Sequence, residues 1–409
     1  MVFKVRIAYI FFMFVVLHIA FWTLGRAEAV ALIPGDWNTT WQNIILLENY
    51  DTMKPYSKFF YYIQEMSGIS IYLSILVFSI LNTFLFYLLV EIFSIFDKRY
   101  GVIAALFVVF SPSSIYFLLP MYKDQLGYVA FASILLMVAR FLSGAQTDIL
   151  KSLLLYCLGI FFIIISREVY VNYVSFILFL SLFLSLFSKP SRQFFFKNFT
   201  PFLFIVLVHT LYFHSDVIKS YTGVITSSEV ATSSEVTTSS AAPEDSNSLL
   251  HMVYDKYNWF FDRVEMRKRE NLRSAPDSAL NYDSYESIKD PSIIVVVSHI
   301  SKAVFAPYID QISDMNTNSF IKIVFIVETI VNYILAVFVV LFIMKNNLHH
   351  LPFIGVVFGC MLITTMLDSN FGTYMRHAHI FIELFIGIGV LMALRMFKLD
   401  INISIKKVF

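Results

Sequence analysis

The sequence predicts an all-α fold, a polytopic bundle of about ten membrane helices. Three observations carry that prediction. Of 409 residues, 58% are hydrophobic and only 14% are charged. Mean hydropathy is +0.72, which excludes an ordinary soluble domain. Apolar runs approaching or reaching the roughly 20 residues needed to cross a bilayer recur along the chain. Basic residues concentrate in every second turn, as they do when they set orientation in a membrane.

The predicted helices span 5–24, 69–93, 102–119, 126–143, 152–166, 169–187, 199–213, 320–344, 351–367 and 378–397. Lys4 and Arg6 precede the first and place the N-terminus inside. Ala27-Glu28-Ala29 resembles a signal cleavage site, but the run from Ile7 to Leu24 is long and aromatic, which favours a retained helix. The even-numbered turns are then cytoplasmic. They hold Lys98, Arg99, Lys151, Lys189, Arg192, Lys197 and Lys345, and the C-terminal tail adds Lys398, Lys406 and Lys407. Acidic residues on that side are few: Asp97, Asp148 and Asp400. Both termini are expected in the cytoplasm. Lys406-Lys407 also resembles a dilysine retrieval signal, but a basic flank of the last helix accounts for it. Cys157 and Cys360 fall inside apolar runs and read as core residues, not a disulfide.

Two outer loops are long and divide the chain. An N-terminal seven-helix bundle, 1–213, includes the first loop, 25–68. Its mixture of Trp37, Trp41, Tyr50, Tyr56, Phe59 and Tyr62 with acids predicts short interfacial helices. The second loop, 214–319, opens with near-repeats of Thr-Ser-Ser-Glu-Val, which predict disorder over 224–248. A helix follows near 254–273, carrying Arg263, Arg267, Lys268, Arg269 and Arg273. The broken apolar stretch around 293–309 reads as re-entrant or interfacial. Residues 320–409 form a three-helix C-terminal bundle and tail.

Three charged doublets stand out in short outer loops: Lys123-Asp124, Arg167-Glu168 and Arg376-His377. Positive charge is disfavoured there, so cations at helix ends point to an anionic ligand. Arg376, His379 and Glu383 are spaced i, i+3, i+7 and share one helical face. A glutamate inside the bilayer calls for a partner or a hydrated cavity. Arg167 offers a bidentate grip on phosphate oxygens, and Lys123 a point charge that Asp124 can orient. Pro112 and Pro120 predict a kink or re-entrant turn leading to that doublet. Glu328 and Asn332, spaced i, i+4, read mainly as bonds within the bundle, as do His18 and His209. Asp36 and Asp51 in the first loop are the candidates for a catalytic base, since sugar transfer to a hydroxyl requires a carboxylate to take the proton. No cofactor or metal motif and no Gly-rich phosphate loop occurs, although a divalent ion bridging carboxylate and phosphate suits the chemistry. Nothing points to nucleic acid.

The order of parts resembles the GT-C class of polytopic glycosyltransferases: a first helix, an acidic outer loop, the turn Asp97-Lys98-Arg99-Tyr100-Gly101, then the run from Ser111-Pro112-Ser113-Ser114 to Lys123-Asp124. The resemblance covers about residues 1–190 and the segment Tyr374-Met375-Arg376-His377. It implies a polyprenyl-linked sugar donor and gives Asp36 or Asp51 the acid-base role. Size, helix count and outward arginines are also similar to bacterial O-antigen and capsule polymerases. Either resemblance implies a bacterial inner-membrane enzyme with its site at the outer face, lipid-linked donor and glycan or lipid-linked acceptor as partners, and bilayer lipids around it. The rival class is a lipid-linked oligosaccharide flippase or other transporter, in which interior charges line the transport path.

Overall fold

The computed structural model describes residues 2–26, 55–66, 71–119, 123–144, 149–167, 170–186, 191–213, 319–345, 350–367, 371–397 and 402–406. Asp36, Asp51, Glu168, the Ser/Thr tract 224–248, the charged segment 254–273 and the apolar stretch 293–309 lie outside them.

The described residues are helical apart from two five-residue strands. In chain order the elements are β1 (Val2–Arg6), α1 (Ile7–Arg26), α2 (Pro55–Met66), α3 (Ile71–Phe96), α4 (Gly101–Val109), α5 (Pro112–Leu118) and α6 (Lys123–Leu142). They continue with α7 (Ile149–Ser166), α8 (Tyr170–Ser185), α9 (Ser191–Phe213), α10 (Ser319–Lys345), α11 (Leu351–Leu367), α12 (Phe371–Met396) and β2 (Asn402–Lys406). A helix overlaps each of the ten predicted apolar segments. Four are long and apolar enough to cross a membrane: Tyr72–Phe96, Lys123–Leu142, Lys322–Leu341 and His377–Met396. The pair α4–α5, bent by 64°, makes a fifth if counted as one broken span, and five further apolar helices are shorter, at 10–17 residues.

The bundle is built around α6. Almost every residue of α6 is buried, and it packs on α3, α7, α8, α9, α11 and α12. The outer helices show the reverse of a soluble pattern. Along α10, Ile323, Val327, Ile330, Ile334, Val337 and Leu341 form an exposed apolar stripe, while Glu328, Leu335, Ala336 and Val339 turn inward. Their alternating spacing of four and three keeps the stripe on one face. Apolar side chains also face outward on α1, α7 and α9. Such a belt is unfavourable in water and suited to lipid. In the segment between α1 and α3, α2 is amphipathic, with Tyr56 and Ile63 two turns apart and buried while Tyr62 is exposed.

The break between α4 and α5 follows directly from its residues. Ser111 adopts an extended backbone (φ −62°, ψ 149°) and its hydroxyl accepts the Ser114 N–H at 3.1 Å. This is an N-cap, with Pro112 at the first helical position where its missing N–H costs nothing. Proline also forces its predecessor out of the helical region, so α4 stops and the chain restarts at a new angle. The kink predicted from Pro112 is thus observed.

Two boundaries correct the sequence reading. α6 starts at Lys123 and α12 at Phe371, so Lys123-Asp124 and Arg376-His377 lie in the first two turns of helices and not in loops. An apolar run stops short of the charged residues in the first turns of these helices. A helix accepts an acid such as Asp124 in its first turn, where the unpaired N–H groups favour it. Arg167 does lie in the break between α7 and α8.

The strands were not anticipated. β1 pairs with β2 in parallel, in a register that runs from Val2 opposite Asn402 to Arg6 opposite Lys406, so both ends of the chain meet at one end of the bundle. The same end holds the ion pairs Arg395–Asp97 (2.6 Å) and Arg140–Glu91 (3.0 Å).

Close helix contacts use glycine. A Cβ on Gly389 of α12 would sit 2.6 Å from the Leu335 carbonyl oxygen of α10, and backbone cannot move aside as a side chain can. Gly389→Ala is therefore expected to destabilise the protein by about 1–3 kcal/mol through overpacking, read by thermal unfolding of the purified protein. Gly355→Ala, which meets only the end of the Leu184 side chain, should cost much less.

Candidate functional site

One member of each charged doublet comes together at the end of the bundle opposite the paired strands. Arg167 is the hub. Its Nε lies 3.2 Å from Asp124 Oδ1, and its Nη1 donates to His377 Nε2 at 2.8 Å. Arginine can only donate, so the imidazole accepts at Nε2 and carries its proton on Nδ1. Tyr170 fills the centre. Its hydroxyl donates to Asp124 Oδ1 at 3.2 Å, its ring lies 5.8 Å from the Arg167 guanidinium carbon, and the His377 ring meets it edge-on at 5.6 Å. That arrangement combines an ion pair with cation–π attraction.

Local sequence explains the geometry. α6 supplies Asp124 from its first turn, and the break after α7 carries Arg167 across to it. Three residues on, α8 begins with Tyr170. Gly127, one turn into α6, admits the Tyr170 ring: a Cβ there would lie 2.8 Å from Tyr170 Cε2. Asp124 is buried, whereas the Arg167 side chain keeps 25% of its surface exposed. Asp124 Oδ2 and both amide atoms of the adjacent, buried Gln125 have no hydrogen-bond partner among the described residues. Orphaned buried polar atoms cost about 1–3 kcal/mol each, so Asp124 Oδ2, beside Arg167, marks where a polar ligand would be welcomed.

Lys123 opens α6 and is partly exposed. Arg376 lies on the first two turns of α12, and its side chain is not among the described ones. His379 and Glu383 do not join the Arg167 cluster as expected. His377 and His379 are two residues apart, about 200° around a helix, so they face different neighbours. His379 and Glu383 form a second, deeper group with α5 and α10.

This deeper group is built on the serines of the α4–α5 break. Ser113 Oγ lies 2.6 Å from Glu328 Oε1 and 3.0 Å from Glu383 Oε1. Its N–H donates to Glu328 Oε2 at 2.9 Å, and Ser111 Oγ donates to Glu383 Oε1 at 3.1 Å. His379 Nε2 meets Ser114 Oγ at 3.2 Å, between the rings of Phe117 and Tyr128. A cavity of about 10 Å³ adjoins it, lined among others by Ser114, Tyr128, His379 and Glu383. That is room for about one water. Reading Glu328 as bonded within the bundle was correct, and Asn332 is only partly buried. The serines were not singled out as site residues. The available signal was the polar run Ser111-Pro112-Ser113-Ser114 inside an otherwise apolar segment.

The remaining buried histidines are structural. His18 meets the Phe14 carbonyl and Ser79, and His209 sits between Tyr156 and Ser175. Among the described residues, no group of three or more His, Cys, Asp or Glu side chains is placed to hold a metal ion.

No family model matches the chain, and no curated protein or solved structure matches it significantly.

Proposed function

We propose that this protein is a multi-pass membrane glycosyltransferase, or a polymerase of the O-antigen or capsule type, acting on a polyprenyl-(pyro)phosphate-linked donor at the outer face of a bacterial plasma membrane. Ten crossings with both termini cytoplasmic then place the Arg167 cluster on the outer side. The observation that carries this reading is the meeting of Arg167, Asp124 and His377, far apart in sequence, where Asp124 Oδ2 has no hydrogen-bond partner among the described residues. Arg167, with Lys123 from the first turn of α6 and Arg376 from the second turn of α12, holds the donor phosphate and stabilises the charge that develops as it leaves. Asp36 or Asp51, from the first outer loop, takes the proton of the attacking hydroxyl.

A transporter or flippase of lipid-linked oligosaccharide is the second reading. It is favoured by the broken α4–α5 segment with Glu328 and Glu383 buried beside it, since discontinuous helices frame the sites of many transporters.

Deleting the gene and analysing glycans separates these. Lipid-linked single repeats should accumulate if the protein is a polymerase, and a repeat lacking one sugar should appear if it is a transferase. Complete lipid-linked oligosaccharide retained on the cytoplasmic side would favour the flippase. Normal glycans would sink all three. In a transferase or polymerase, complementation with Asp36→Ala and Asp51→Ala should fail for one of the two variants; full activity in both removes the loop-one base.

A further inference from the structure

A hydrogen count at the α4–α5 break leads to a site that the phosphate-binding role does not use. The Ser113 hydroxyl has one proton, yet it touches two carboxyl oxygens, Glu328 Oε1 at 2.6 Å and Glu383 Oε1 at 3.0 Å. A hydroxyl donates once. The shorter contact falls in the range of O–H···O⁻ bonds, so Ser113 donates to an ionised Glu328, whose second oxygen takes the Ser113 N–H. The contact to Glu383 then needs a hydrogen from Glu383 itself. Ser111 does not resolve this: its Oγ lies 3.1 Å from Glu383 Oε1 and 3.3 Å from Ser113 Oγ, and its single proton, given to either, places none on the Ser113–Glu383 contact.

No lysine or arginine among the described residues forms a salt bridge with Glu328 or Glu383. From α12 the facing titratable group is His379, whose Nδ1 is 3.8 Å from Glu383 Oε1. α5 presents Ser113 and Ser114, α6 presents Tyr128, and α3 and α4 present the apolar Leu85, Leu89, Val108 and Val109. α11 contains no charged residue. His379 adds an independent sign of a ligand. It is buried, it lines the water-sized cavity together with Glu383, and its Nδ1 has no hydrogen-bond partner among the described residues.

We propose that Glu328 and Glu383 form a proton-binding dyad that holds one exchangeable proton between them, bridged by Ser113 and opening through Glu383 and His379 onto the adjoining cavity. Uptake forms one O–H bond on a Glu383 oxygen as one O–H bond of a hydronium ion in that cavity breaks and leaves water. Release breaks the bond and returns the proton there, leaving two carboxylates. The dyad goes beyond the transferase reading and does not depend on it, since its test measures protonation and not glycan synthesis.

Infrared difference spectra of the purified full-length protein, recorded around neutral pH in H₂O and D₂O, should contain the carbonyl stretch of an un-ionised carboxyl. That band should disappear in Glu383→Gln. Ser113→Ala, which removes the bridge without touching either carboxyl, should shift its frequency, and this variant carries the test if the glutamine variant does not fold. Absence of the band in the unaltered protein, its persistence in Glu383→Gln, or an unshifted band in Ser113→Ala would overturn the proposal.

Discussion

Arg167→Ala should lower turnover of a lipid-linked donor by about two to four orders of magnitude. The guanidinium is held by Asp124 and His377 and kept over the Tyr170 ring, so under the proposed function it would meet a leaving phosphate already oriented. A preorganised cation stabilises charge as it develops without reorganising at that moment. The loss should therefore appear mainly in kcat, with a smaller change in KM. Arg167→Lys should restore little. A lysine cannot reproduce the planar fork that reaches Asp124 and His377 together. Steady-state transfer in reconstituted vesicles checks both variants, and a kcat within threefold of the unaltered protein in Arg167→Ala would remove this residue from the chemistry.

The second large effect is on stability. Asp124→Ala should destabilise the protein by about 3 kcal/mol. Removing one partner of a buried pair leaves the other charge uncompensated, at a cost of about 3–5 kcal/mol, and the partial exposure of Arg167 brings the value to the lower end. Tyr170 also loses the acceptor of its hydroxyl. The double variant Asp124→Ala/Arg167→Ala should be less destabilised than the sum of the singles, with a coupling of about 1–3 kcal/mol. Chemical denaturation of the purified protein measures the cycle, and additivity would mean that the pair does not hold α6 to the α7–α8 break.

Much of this was legible in the sequence because the signals are local or periodic. Apolar runs located the helices, and the Ser111-Pro112 step located the break. What was misread is equally instructive. Hydropathy windows exclude charge, so they placed Lys123-Asp124 and Arg376-His377 in loops, although α6 begins with the first doublet and α12 begins at Phe371, before the second. The spacing of Arg376, His379 and Glu383 along one helix gave no information on which neighbour their face meets. The partners of Glu383 are serines that a linear reading treats as kink residues. Pairing of Val2–Arg6 with Asn402–Lys406 was hidden for a related reason: five-residue strands at opposite ends of a chain leave no periodic trace, and their lysines and arginine had a sufficient explanation as basic flanks. The three doublets, by contrast, were found through a local oddity of charge, and Asp124, Arg167 and His377 do meet in space.

The central claim is that this meeting point binds the phosphate of a polyprenyl-linked donor. Its most direct test is binding of a polyprenyl phosphate to the full-length protein in nanodiscs, compared with Arg167→Ala under the same salt. Saturable binding, weakened about tenfold or more by the substitution, is the predicted result. Equal affinity in the two proteins would contradict it.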